Sequence, residues 1–139
     1  MTNDELAASR LDDARKFIEY ADRALNDNLF HHTVQFAQRA AELAVKALLA
    51  YDGQDVPHEH NLAKLVSRLP SVRGLPAEQQ SRLYKSNDEL ADQRTVSIYG
   101  LKDGTPPDKI YDRAKAEKAL EQGKFVVSTV ESLVKTEEQ

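Results

Sequence analysis

Residues 30–53 read FHHTVQFAQRAAELAVKALLAYDG. Phe30, Val34, Ala37, Ala41, Ala44 and Leu48 step by three and four, which is one face of a helix, and Ala40 and Ala47 lie beside it. The pattern predicts a helix from about Leu29 to Asp52, stopped by Gly53 at the position where a helix end favours glycine. So many alanines on one side let a neighbouring backbone come close. Upstream, Asn26-Asp27-Asn28 breaks the pattern as a tight connection. Before it, Leu11, Ala14, Ile18, Ala21 and Leu25 form the stripe of a helix running from Asn3 to Leu25, with Thr2 and Glu5 suited to a capping box. The short link makes these two helices an antiparallel hairpin.

Downstream, residues 54–60 with Pro57 read as a loop, and Asn61–Leu69 as a short helix carrying Leu62, Leu65, Val66 and Leu69. Residues 70–74 end it. Pro76 suits the first residue of a long helix reaching about Ile98. Residues 100–107 form a second loop, and Thr105, Pro106 and Asp108 suit the start of the last helix. That helix carries Ala116, Leu120, Gly123, Val127, Val130 and Val134 on one face. Gly123 costs about 1 kcal/mol in a helix relative to alanine, and a close helix–helix approach would offset it. The expected fold is all-α: an up-and-down bundle of four long helices and one short one, a single domain over residues 1–139.

Composition agrees. Ala and Leu supply 33 residues and Val and Ile only 13, a ratio that favours helices. Five glycines and five prolines leave little room for the hairpins of a sandwich or barrel. With no cysteine there is no disulfide framework, zinc–thiolate site or thiol nucleophile. The longest apolar run, Ala47–Tyr51, is far short of the roughly 20 residues of a membrane span, and the polar N-terminus is no secretory signal. A cytoplasmic location without membrane contact is expected. The net charge of −4 argues against bulk adhesion to nucleic acid and leaves room for a local basic patch.

Such a patch exists in sequence. Lys64, Arg68, Arg73, Arg82 and Lys85 face only Glu78 between residues 64 and 85. It either steers phosphates toward one face or is a solvated surface balanced by Asp88, Glu89 and Asp92. Leu83, Leu90 and Ile98 form an apolar stripe. At ~100° per residue, Arg94 falls in its middle and Asn87 lies on it. A cation there is costly unless paired, so Arg94 meets a carboxylate inside the fold, snorkels to solvent at the bundle edge, or opens onto a cleft or partner. His58 and His60 alternate as metal ligands can, but no second ligand cluster accompanies them, and His60 suits packing or capping of the short helix. His31 and His32 read as surface residues. No metal or cofactor is expected.

The stretch from Ala37 through Gln38, Glu42 and Lys46 to Leu49, then Gly53, then His60-Asn61-Leu62-Ala63-Lys64-Leu65, resembles the HEPN domain family. So do the helix order, Arg94 followed by Tyr99-Gly100, the proline-containing loop and the alanine-rich last helix. The resemblance covers nearly the whole chain. It implies a helical bundle that forms homodimers, in a prokaryotic setting where many members sit beside a minimal nucleotidyltransferase as toxin and antitoxin. Catalytic members are metal-independent ribonucleases whose Arg stabilises phosphate charge while a nearby His transfers protons.

Arg94 matches the family arginine. Tyr99 stands where the histidine belongs, Thr95 replaces the usual polar amide or acid, and no histidine follows His60. Tyrosine, of ordinary pKa about 10, is a poor general base near pH 7. The first functional reading is therefore a homodimeric nucleotide- or RNA-binding module with a degenerate catalytic motif, using Arg94, Asn87, Arg82, Lys85 and Lys64 and acting with a nucleotidyltransferase partner. The second is a ribonuclease toxin using Arg94 with Tyr99 or His60. The third is a purely structural dimer.

Overall fold

A computed structural model describes residues 1–59 and 61–137. Its helices are α1 (Asn3–Asn26), α2 (Phe30–Tyr51), α3 (Ala63–Ser67), α4 (Pro70–Arg73), α5 (Ala77–Tyr99) and α6 (Arg113–Glu137), with one 3-10 turn at Pro107–Lys109. The described residues contain no strand, and none of their helices is long and apolar enough to cross a membrane.

Half of the expected capping box forms at α1: the Glu5 N–H donates to Thr2 Oγ1 at 3.1 Å, while the Glu5 carboxylate accepts the Thr2 hydroxyl at 3.3 Å in place of the Thr2 N–H. Asn28, at φ 60°, turns the chain into α2. That helix is the spine, packed against α1, α5 and α6, and its alanine face is fully buried. At its end Gly53 adopts φ 71°, the Gly53 N–H donates to Ala50 O at 3.0 Å and the Gln54 N–H to Leu49 O at 2.9 Å. These bonds satisfy carbonyls that the helix itself leaves open. The close approach expected at Gly123 is present: a Cβ there would lie 3.1 Å from the Ala37 carbonyl oxygen and 3.2 Å from Ala37 Cβ.

Three local expectations are corrected. Residues 70–73 do not merely end the short helix but form the extra turn α4, with Pro70 at its start and Val72 buried. The last helix begins at Arg113 and not near Thr105. The Asp103 carboxylate takes both the Thr105 N–H (3.0 Å) and hydroxyl (2.7 Å), which commits Thr105 to a turn. Asp112 caps the helix instead, accepting from the Lys115 N–H at 2.9 Å. On α5 the buried face runs through Leu83, Ser86, Asn87, Leu90 and Ser97, while Ile98 is 38% exposed. The small Ser97 lets α5 sit close to the core, and Arg94 moves to the shoulder of the buried face.

Candidate functional site

The site residues expected from the sequence sit mostly on α5, and the period of that helix decides which can act together. Arg94 and Asn87 are seven residues apart, about 20° around the axis, so they share a strip. Asn87 is buried, and its Nδ2 has no hydrogen-bond partner. It lines a narrow crevice with Gln38, Glu42, Leu62 and Ala91. Glu42 is buried too, and Arg39 (3.2 Å) and Lys46 (3.8 Å) supply its counter-charge. The helix that decides the fold thus also brings a buried amide and a buried carboxylate to the α5 strip.

Arg94 is half-buried. Among the described residues its guanidinium has no carboxylate or hydrogen-bond partner, and only its carbonyl is engaged, by the Ser97 hydroxyl at 3.2 Å. Of the three arrangements open to Arg94, the internal ion pair is not formed among these residues, which leaves snorkelling at the bundle edge and a cleft or partner.

Tyr99 is the last residue of α5 and 77% exposed. The Gly100 N–H donates to Val96 O at 2.9 Å, so the helix continues through Tyr99, which projects ~140° away from Arg94. The two do not converge within one chain. Gly100, at φ 85°, ends the helix there, and a side chain on it would overlap the Thr105 carbonyl. Ile98, Tyr99 and Leu101 together expose apolar surface at this end of the bundle.

The basic segment disperses. The Arg82 guanidinium lies 4.0 Å over the Phe125 ring, a cation–π contact with α6. Lys85 is exposed on the outer face, ~160° from Asn87. Lys64 is exposed on α3 and lines a groove with Arg68, Tyr84 and Asp88. Two of the three acids expected to balance this segment are engaged elsewhere: Asp88 accepts from Asn61 Nδ2 at 2.9 Å, and Glu89 accepts from Gln122 and forms an ion pair with Lys118 Nζ at 3.8 Å. Arg68 was legible only as one member of the basic segment, and Tyr84 was not singled out from the sequence. The signal that could have joined them was the four-residue spacing of Lys64 with Arg68 and of Tyr84 with Asp88.

A second pocket, of about 330 Å³, lies on the opposite side of α5, where the Tyr111 hydroxyl donates to Gln93 Oε1 at 2.6 Å. Burial pushes Tyr111 up to about 12. The His31 and His32 rings lie 4.0 Å apart, tilted by 38°, and burial, then the neighbouring His32, lower His31 despite Asp108. His58 is exposed, and His60 lies outside the described residues. Among the described residues no three histidines or carboxylates group as a metal site would need.

The HEPN domain family profile matches residues 7–133. No curated protein matches the chain. The crystal structure of TT1696 from Thermus thermophilus superimposes with a TM-score of 0.76 at 26% identity, covering 91% of this chain and 97% of that one. That of ST0689, an archaeal HEPN homologue, gives 0.75 at 20% identity, covering 92% and 97%, a likeness of fold.

Proposed function

The chain belongs to the HEPN domain family, and from that premise we propose that it is a homodimeric module binding RNA or nucleotide phosphate through Arg94, with a nucleotidyltransferase as partner in a toxin–antitoxin-like pair. The observation that carries this is the half-buried Arg94, whose guanidinium has no partner among the described residues, two turns along the same strip of α5 from the unpaired amide of Asn87. A guanidinium that folding has partly desolvated but left without a counter-charge favours a planar anion, which it can clasp with two parallel N–H donors. The exposed Ile98, Tyr99 and Leu101 suit a contact with a second copy, because small bundles bury leftover apolar surface by pairing. Lys64, and less directly Lys85 and Arg82, add attraction for a phosphate backbone.

Binding without cleavage is favoured because no histidine follows His60 and Tyr99 turns away from Arg94. The ribonuclease reading keeps two routes, one in which Tyr99 reaches the Arg94 of a second copy across a dimer and one through His60, which lies outside the described residues. Incubating end-labelled RNA with the purified chain separates binding from cleavage. Retarded but intact RNA supports a binding module. Fragments that vanish with Tyr99→Phe support the ribonuclease, and an RNA neither retarded nor cut contradicts both.

A further inference from the structure

We infer that the groove between α3 and α5 is a base-binding subsite that takes one nucleotide of a single-stranded RNA and prefers guanine; this rests on the RNA-binding role of Arg94. The groove holds about 510 Å³, within the range of small-ligand sites. Three kinds of group meet there. The half-buried Tyr84 ring forms part of its wall, and an aromatic face is a stacking platform for any base. Lys64 and Arg68, four residues apart and exposed, have no ion-pair partner among the described residues, in a chain where 23 acids outnumber 19 basic residues. They are therefore free for neighbouring phosphates.

The third kind is the carboxylates, which argue against a bare anion. Asp88 is occupied: Asn61 donates to it at 2.9 Å while Asn61 Oδ1 accepts the Ala63 N–H at 3.1 Å, a brace that ties the loop to α5. Glu59 is exposed on the groove and unpaired among the described residues. An ionised carboxylate only accepts, so a base beside it is selected for N–H groups. Guanine offers two adjacent ones on its pairing edge, and uracil offers one. Cations with a stacking ring and an acceptor describe a nucleotide better than a phosphate alone.

The placement also fits a strand. Tyr84 lies ten residues from Arg94, about 15 Å along the axis and about 80° around it, so one short strand can reach both.

The test uses the whole chain and two fluorescein-labelled RNAs, heptauridylate and the same strand with a central guanosine, read by anisotropy. The guanosine strand is expected to bind about 5- to 150-fold more tightly, the span of a good two-pronged base contact, and Glu59→Gln to erase that preference. Tyr84→Leu should weaken both strands by about 5- to 150-fold. Lys64→Ala with Arg68→Ala, both at exposed positions and so safe for folding, should flatten the salt dependence of log K by about 1.4, or about 0.7 per phosphate contact. Equal affinity for the two RNAs overturns the guanine preference. An unchanged salt slope in the double variant, alongside lost affinity in Arg94→Ala, overturns the groove and leaves the Arg94 role standing. Failure of the unaltered chain to bind either RNA overturns both.

Discussion

Gly123→Ala separates two opposed effects of known size. Alanine in a helix interior is favoured over glycine by about 1 kcal/mol, so on propensity alone the variant gains stability. The added Cβ, however, would sit 3.1 Å from the Ala37 carbonyl oxygen, 3.2 Å from Ala37 Cβ and 3.3 Å from Ile18 Cδ1. The Ile18 methyl can swing aside. Ala37 cannot, because its carbonyl belongs to the buried middle of α2. Overfilling a packed contact costs about 1–3 kcal/mol, which leaves a net loss of about 1 kcal/mol. For a chain of this size that lowers the melting temperature by about 3–5 °C. Circular dichroism melts and urea titrations of both proteins measure it. A variant that melts higher than the parent would show that α6 does not rest on α2 at this point.

Arg94→Ala should change unfolding free energy by no more than about 0.5 kcal/mol, as for an unpaired group; a urea-measured loss of about 3–5 kcal/mol would reveal a buried partner. Burial raises Tyr111 to about 12, so its neutral form is the one the fold favours. Its contribution is intact below pH 10 and lost as pH climbs toward 12, and Tyr111→Phe should delete a tyrosinate phase near pH 12 in an absorbance titration. His31 is shifted the other way, below its ordinary 6.5, by burial and by His32. Its contribution is present above that value and lost as pH falls through the lower folded one, and an imidazole resonance with a midpoint at or above 6.5 would contradict the packing. Light scattering at micromolar concentration should give twice the chain mass, and a monomer would argue against the paired arrangement.

Much of the bundle was legible because long amphipathic helices write their period into the chain. The α2 stripe, the Gly53 stop, the Thr2 cap and the Gly123 contact all depend on residues close in sequence or on a face with one possible use. The start of α6 was not, because Thr105 and Asp112 are both good caps and only the turn at Asp103 decides between them. Arg94 stood out as a cation on an apolar stripe, but whether a carboxylate met it depended on tertiary packing. The Arg82–Phe125 contact and the Lys64–Tyr84 groove were hidden for the same reason. Each joins residues some 20 to 40 positions apart, and no local rule brings them together.

The most direct measurement is the affinity of the chain for heptauridylate with Arg94 intact, as Arg94→Ala and as Arg94→Lys, at one salt concentration. A two-pronged charged contact is worth about 1.5–3 kcal/mol. Arg94→Ala should therefore bind roughly 10- to 150-fold more weakly, with its melting temperature unmoved, and Arg94→Lys should recover only part of the loss because a point charge makes no paired contact. Equal affinity of all three proteins would contradict the account.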